Sequence, residues 1–140
     1  MNRCASWLRA AVLATAPLLA TLAAPTAASA QELVIRNFPA TALRGQIAFG
    51  IAPEIVVNGK IPARLSPGAR IRGTNNLLVM SAALTGQTWR VNYTIDPLGQ
   101  VHDVWILRPD ELARPWPTTP SEAAALVFDP AAQAWYAPQR

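Results

Sequence analysis

Short apolar segments separated by turn residues fill the middle of this chain and restrict the folds open to it. Ile47, Phe49 and Ile51 alternate with polar or small residues, and residues 89–95 repeat the pattern. This two-residue period is typical of strands with one buried face. Turn residues recur about every 8–12 positions, as in small all-β domains. Residues 44–108 are therefore predicted to form a mainly β domain, a small antiparallel sandwich or barrel of five to six strands.

Two turns in this region predict hairpins. Asn58-Gly59 stands between apolar runs, and both residues tolerate the positive φ that a tight type I′ turn requires. Asp96-Pro97-Leu98-Gly99 is typical of a type I turn followed by a glycine bulge. Ser66-Pro67-Gly68 predicts a further turn, which would separate a strand ending at Leu65 from a short strand at 69–72.

One apolar run and two tryptophans are the candidates for burial within the β domain. Leu77-Leu78-Val79-Met80 is a continuous apolar run, which indicates a strand buried on both faces. Trp89 and Trp105 are expected to pack in the core or across neighbouring strands.

The segments flanking the β domain differ in character. Residues 31–43 are a lead-in, and residues 109–140 are a Pro-rich, partly helical C-terminal tail. Residues 109–112 predict one helical turn. Thr119 as N-cap, Pro120 as first helical residue and Glu122 in the first turn predict a short helix that runs through Leu126.

The tail also carries large aromatic side chains that need a place to pack. The aromatic residues concerned are Trp116, Trp135 and Tyr136. They either bind another protein or fold back over the sheet. We expect Trp116 or Trp135 to fold back, because burying one indole contributes a few kcal/mol of stability. The core they would join contains Val91, Tyr93, Val104 and Ile106.

The first thirty residues predict export. Arg3 and Arg9 precede an Ala- and Leu-rich run, which ends in Ala28-Ser29-Ala30. This order of basic, apolar and small residues is typical of a cleaved secretory signal peptide, with cleavage after Ala30. The alternative is a membrane anchor, but the run is shorter than the roughly 20 residues that span a bilayer. The composition favours a bacterial periplasm, with no stable membrane anchor after cleavage.

Cysteine content and net charge argue against disulfide bonds, thiolate metal sites and nucleic-acid binding in the mature chain. The only cysteine is Cys4, within the signal segment, so the mature chain has no disulfide and no thiolate ligand. Two of the twelve basic residues also lie there, which leaves ten basic against eight acidic residues and a net charge of +2. Nucleic-acid binding normally requires a stronger basic excess, so no nucleic-acid partner is expected.

Four arginines are the candidate ligand-binding residues. Arg64, Arg70, Arg72 and Arg90 would form a basic stripe if their strands were neighbours. Arginine forks bind phosphate and carboxylate groups, so such a stripe would suit an anionic envelope polymer. A solvated strand face explains the same pattern without a ligand.

His102 is the only histidine and the one candidate for acid–base chemistry. A His/Cys metal site needs several such ligands, so no metal and no cofactor is expected. A triad with Asp103 or Asp96 is arithmetically possible, but no serine lies in a Gly-x-Ser-x-Gly elbow. His102 also follows a predicted turn, where a polar residue simply faces water. No catalytic residue is therefore assigned.

Two segments resemble known groups of proteins. The stretch from Val91 through Asp96-Pro97-Leu98-Gly99 to Leu107 is similar to the hairpin of TonB-type C-terminal domains. The spacer of that family is not matched, so the resemblance implies no energy transduction. Residues 38–111 resemble a group of small exported proteobacterial proteins without assigned function. That likeness is carried by residues 38–40, 63–72 and 103–107, and it implies a shared domain type.

These features together predict a periplasmic, non-enzymatic β-domain protein that acts in binding or envelope assembly. Its partner would be an envelope protein or an anionic envelope polymer. The alternative is a small periplasmic hydrolase that uses His102 with Asp103.

Overall fold

The computed structural model describes residues 35–139, and most of its regular structure is β-strand. The signal segment 1–30 and the start of the lead-in lie outside the described residues. In chain order the elements are β1 (Leu43–Phe49), β2 (Glu54–Val57), β3 (Ile61–Arg72), β4 (Leu78–Val79), a 3₁₀ turn (Ser81–Leu84), β5 (Thr88–Ile95), β6 (Val101–Ile106), α1 (Pro109–Leu112), α2 (Pro120–Ala124), β7 (Val127–Asp129) and β8 (Ala134–Tyr136). Within residues 35–139 no helix is long and apolar enough to cross a membrane.

Five strands close into a barrel, which confirms the predicted fold class. The strand order is β2-β1-β5-β6-β3, β3 pairs back to β2, and β4 extends the sheet beyond β3. Strand β5 returns to lie beside β1, so β5-β1-β2-β3 is a Greek key. The barrel is mixed rather than purely antiparallel, because β3 and β6 run parallel. A parallel pair needs a crossover, and here β4, the 3₁₀ turn and β5 provide it.

Both predicted hairpin tips are confirmed. Asn58 and Gly59 have φ values of 52° and 70°, and the Lys60 N–H donates to the Val57 carbonyl at 3.2 Å. At the β5–β6 turn Gly99 has a φ of 79°, and Asp96 Oδ1 accepts the N–H of Leu98 at 2.9 Å. Local backbone chemistry therefore defines both turns, as the sequence indicated.

The predicted turn at Ser66-Pro67-Gly68 is wrong. These residues lie inside β3, a single strand of 12 residues. Leu65 pairs with Val101, and the next pair is Arg70 with Asp103. Between these two pairs, β3 therefore has three more residues than β6. The segment is therefore a β-bulge, a site where a strand tolerates a proline without an N–H.

The apolar run from Leu77 to Met80 is not buried on both faces as predicted. Strand β4 contains only Leu78 and Val79 and pairs only with the end of β3. Leu77, Leu78 and Met80 are 66%, 65% and 78% exposed. An edge strand has a neighbour on one side only, so an apolar run alone does not establish burial. Trp89, predicted to pack in the core or across neighbouring strands, is 38% exposed and outside the core; it stands opposite Ile47 of β1 and donates its Nε1–H to Gln87 Oε1.

Two apolar cores lie on opposite faces of the sheet. The barrel interior is filled by Leu43, Ile47, Phe49, Ile55, Val57, Leu65, Ile71, Leu84, Val91, Tyr93, Val101, Val104 and Ile106. A second core contains Phe38, Ala42, Trp105, Leu107, Trp116 and Trp135. Trp105 lies between two interior residues of β6, so its side chain points to the outer face. The lead-in and the tail cover that face.

The tail folds back on the barrel, as expected, but on the other face of the sheet. Trp116 and Trp135 are 7% and 8% exposed and pack with Trp105 rather than with Val91, Tyr93, Val104 and Ile106. Those four side chains point into the barrel interior, against which the tail packs Ala123 but neither of these tryptophans. Side chains alternate between the two faces along β5 and β6, so a tail tryptophan that packs on Trp105 at the outer face cannot also contact those four residues at the inner face.

Both short tail helices are confirmed, whereas the final hairpin was not predicted. Thr119 Oγ1 accepts the Glu122 N–H at 3.2 Å and begins α2, which ends at Ala124 rather than Leu126. The following strands β7 and β8 pair Phe128 with Trp135. Each has three residues, too few to show a reliable period in the sequence.

Candidate functional site

A cavity of about 580 Å³ lies between the β3 bulge, β4 and the loop before β2. Its volume falls within the roughly 300–1,000 Å³ of small-molecule sites. Eight of its twelve lining residues are apolar, although polar atoms contribute nearly half of the lining surface; the apolar residues are Ala52, Pro53, Leu65, Pro67, Ala69, Ile71, Val79 and Met80. The polar lining residues are Arg64, Ser66, Ser81 and Gln100. An apolar wall with a few polar groups is the usual composition of a ligand pocket.

The bulge in β3 accounts for the position of the cavity. The four residues from Ser66 to Ala69 have no residue-by-residue partners on β6. Ser66, Pro67 and Ala69 of this segment line the cavity together with Val79 and Met80. Pro67 fixes its own φ and lacks an N–H, so this segment has little tendency to return to the regular ladder.

Inside the bulge, Ser66 contacts the only histidine of the chain. The distance between Ser66 Oγ and His102 Nδ1 is 2.8 Å, and Ser66 is buried. A Cβ atom on Gly68 would lie 3.6 Å from His102 Cε1, so the imidazole ring packs beside the glycine. A hydroxyl bonded to an imidazole nitrogen is either an activated nucleophile or a structural bond that fixes the bulge.

The structure does not join His102 to Asp103. No hydrogen bond or ion pair links these two neighbours in β6, where the register to β5 shifts, and His102 Nδ1 contacts Ser66 instead. Asp103 Oδ1 lies 3.5 Å from Arg70 Nε. The sequence did not indicate Ser66 as a site residue, because only the parallel pairing of β3 with β6 brings it close to His102. The Ser-Pro-Gly motif, which predicted a turn, was the available signal for an irregular strand.

Gln100 lines the cavity and is held by its backbone. Its Oε1 is buried and accepts no hydrogen bond. Its backbone N–H is fixed by Asp96 Oδ1 at 2.9 Å, within the β5–β6 turn. A buried acceptor without a donor costs about 1–3 kcal/mol. Because this oxygen has almost no accessible surface, it does not face the open space of the cavity.

The four candidate arginines do not form one stripe. Arg64, Arg70 and Arg72 lie on β3, whereas Arg90 lies on β5, with β6 between the two strands. The Arg64 guanidinium is 3.3 Å from Glu54, in an exposed pair, and it alone of the four lines the main cavity. An exposed ion pair contributes about 0–1 kcal/mol, so Glu54 holds the Arg64 guanidinium only weakly.

Arg90 instead lines a smaller cavity of about 250 Å³ with Arg44. Arg44, which the sequence did not single out, donates to the carbonyls of Glu111 at 3.0 Å and of Arg114. Burial, with a further contribution from Arg90, lowers the pKa of Arg44. Its guanidinium is largely occupied by carbonyls of α1 and of Arg114 just after it, so Arg44 holds the tail to the barrel.

The aromatic candidates for partner binding belong mostly to the protein's own core. Trp116 donates its Nε1–H to the Ala42 carbonyl at 2.8 Å, and its ring centroid is 5.5 Å from that of Phe38. Trp135 lies 6.0 Å from Trp116. Tyr136 is 53% exposed and remains on the surface. A partner binding here would therefore meet Tyr136.

A buried ion pair ties the lead-in to α1. Arg36 donates through Nε to Glu111 Oε1 at 2.8 Å and through its terminal nitrogens to the carbonyls of Gly73 and Ile106. Burial alone would raise the pKa of Glu111, but hydrogen bonds and charges from Arg36 and Arg108 hold it below its usual value. Within residues 35–139, no group of three or more His, Cys, Asp or Glu side chains could hold a metal ion.

No family model matches this chain, and neither the curated proteins nor the solved structures contain a significant match. The two sequence resemblances therefore stay predictions.

Proposed function

We propose that this chain is an exported, non-enzymatic β-domain protein that binds a ligand in the periplasm, in a binding or envelope-assembly role. The cavity of about 580 Å³ beside the β3 bulge carries this proposal. Export is supported by residues 1–30, whose pattern is typical of a signal peptide. The composition of the lining supports binding, because apolar walls with few polar groups retain small molecules.

The topology is compatible with a binding role. Five-stranded Greek-key barrels include the OB-fold, whose members bind oligonucleotides and oligosaccharides on one face and its loops. One fold serves many functions, so the strand order supports binding in general and no particular ligand. An anionic envelope polymer would contact Arg64 and Arg70, whose exposed or half-exposed acidic partners it could displace.

The experiment is a thermal-shift screen of the chain from Gln31 onward against small apolar compounds and envelope fragments. A ligand that binds only the folded state raises Tm in a concentration-dependent way. Ala69→Phe places a ring in the cavity, and Ala82→Phe adds the same ring at an exposed position that does not line it. Compounds that stabilise the parent and Ala82→Phe but not Ala69→Phe support the proposal. No stabilising compound, or equal shifts in all three proteins, would refute it.

The second candidate is a small hydrolase that uses His102, as the sequence allowed. The 2.8 Å contact between Ser66 Oγ and His102 Nδ1 favours it, because the cavity then contains a nucleophile beside a base. Ser66→Ala, His102→Ala and Asp103→Asn should be assayed on ester, glycoside and peptide substrates. Turnover abolished by the first two changes would replace the binding proposal, and loss in Asp103→Asn would restore the role predicted for that carboxylate. Absence of turnover in the parent chain is the result expected here.

A further inference from the structure

The sheet ends at β4 in an edge that carries apolar side chains and no charge. Among the described strands β4 pairs only with β3, and Leu77, Leu78 and Met80 are all exposed. Edge strands are usually protected by charged side chains or by proline, and residues 77–80 contain neither. This edge therefore leaves three large apolar side chains in water within four consecutive residues.

Two arginines at the end of β3 lie beside these apolar side chains. Arg72 pairs with Leu78 across the β3–β4 ladder, so the two side chains leave the same face of the sheet. Arg70 precedes Arg72 by two residues in the strand and lies on that face as well. Within residues 35–139 Arg72 has no acidic partner, and the Arg70 side chain is 56% exposed, with Asp103 at 3.5 Å. We call these five residues the edge patch: Leu77, Leu78, Met80, Arg70 and Arg72.

We propose that the edge patch binds reversibly to the surface of a bilayer that contains anionic phospholipids. Interfacial binding has two contributions, the burial of apolar side chains among the headgroups and the attraction of basic side chains to anionic lipids. The edge patch supplies both within one short segment of β3 and β4. On the proposed export route the mature chain meets phospholipid bilayers, so this inference rests on that part of the proposed function.

The size of the edge patch favours a bilayer over a protein partner. A stable protein interface buries about 800 Å² on each partner, from roughly 20–30 residues. The edge patch has far fewer residues, and the tail already covers the neighbouring outer face of β6 at Trp105. A bilayer needs no complementary shape, so a few inserted side chains with adjacent positive charges give weak, reversible binding.

The test is sedimentation of the chain from Gln31 onward with vesicles of phosphatidylcholine alone, or of equal parts phosphatidylcholine and phosphatidylglycerol. The parent should bind the second kind of vesicle more tightly, and this binding should weaken as salt rises. Arg72→Gln should weaken it about fivefold, the usual contribution of one arginine near an anionic surface. Leu78→Ser should weaken it about tenfold, through the loss of an inserted apolar side chain. Arg90→Gln and Leu98→Ser make the same two changes outside the edge patch and should bind like the parent.

Thermal unfolding checks that each variant is folded, and Met80→Ser repeats the apolar change should Leu78→Ser destabilise the chain. The inference is wrong if the parent does not bind the anionic vesicles, or if it binds both kinds equally. It is also wrong if the two control variants weaken binding as much as the edge-patch variants do. A dimer that Leu78→Ser abolishes, without vesicle binding by the parent, would assign the edge patch to contact between copies instead.

The compound screen on the cavity separates this failure from that of the proposed function. Compounds that stabilise the parent but not Ala69→Phe would keep the ligand-binding role even if no vesicle is bound.

Discussion

Trp116 is the residue whose removal tests most directly how the tail is held. It is 7% exposed, its ring contacts Phe38 and Trp135 edge to face, and its Nε1–H donates to Ala42. Replacing a buried tryptophan by alanine costs about 3–5 kcal/mol. The free energy of unfolding of a small domain is about 5–15 kcal/mol, so Trp116→Ala should remove at least about a fifth of it.

The hydrogen bond and the packing can be separated with a second variant. Trp116→Phe keeps a ring among Phe38, Phe128 and Trp135 but leaves the Ala42 carbonyl without its donor. That change should cost about 1–3 kcal/mol, less than the alanine variant. Trp89→Ala is the matched control, because Trp89 is half-exposed and lies outside both cores.

Urea unfolding followed by far-UV circular dichroism measures these differences. With a slope of about 1–3 kcal/mol per molar urea, Trp116→Ala should lower the midpoint by roughly 1–5 M. Trp89→Ala should cost about 1 kcal/mol or less. If Trp116→Ala lost less than about 1 kcal/mol, or no more than Trp89→Ala, the tail would not be packed on the barrel as described.

Three further changes test other parts of the fold. Gly59→Val should cost on the order of 1 kcal/mol or more, from backbone strain alone, because a Cβ there meets nothing within 4 Å; Gly68→Ala is the control, and an unchanged thermal midpoint for Gly59→Val would contradict the type I′ turn. Glu111→Gln should cost about 3–5 kcal/mol, since it leaves Arg36 buried without its counter-charge. The folded-state pKa of Glu111 lies below its ordinary value of 4.5, so the stability that this carboxylate contributes is complete above that pH and is lost as pH falls through the folded value. In urea titrations from neutral to acid pH, the free energy of unfolding of Glu111→Gln should therefore fall less steeply than that of the parent. Parallel curves would disprove the linkage. Ending the chain before Val127 removes Trp135 and the β7–β8 hairpin, so the shortened chain should melt at lower temperature and bind more of an apolar dye, whereas an unchanged melting temperature would show that the hairpin adds nothing.

Features set by neighbouring residues could be predicted from the sequence. The turn at Asn58-Gly59 requires two residues that accept positive φ, and the cap of α2 requires a Thr three residues before Glu122. Both requirements are local, so the pattern and the structure agree. The alternation along β1 and β5 likewise predicted strands that pair directly in the barrel.

Features set by distant residues could not be predicted in the same way. The apolar run at Leu77–Met80 fits a buried strand, but only the sheet order reveals that β4 stands at an edge. Ser66 and His102 are 36 residues apart, and only the parallel pairing of their strands brings them together. The outer position of Trp105 also depends on the tail, because an outward indole is stable only when another segment covers it.

The second core joins the first and the last parts of the described chain. Phe38 lies beside Trp116, and the Phe38 N–H donates to the Gln133 side chain at 2.7 Å, across 95 residues. During synthesis or passage through a pore, this core cannot assemble until the final hairpin has emerged. Its contacts are of long range and form slowly, whereas no residue of the final hairpin belongs to the barrel interior, so the barrel can fold first and the second core last. On the proposed export route, Trp105 and Trp116 would stay partly uncovered until the hairpin had crossed the inner membrane.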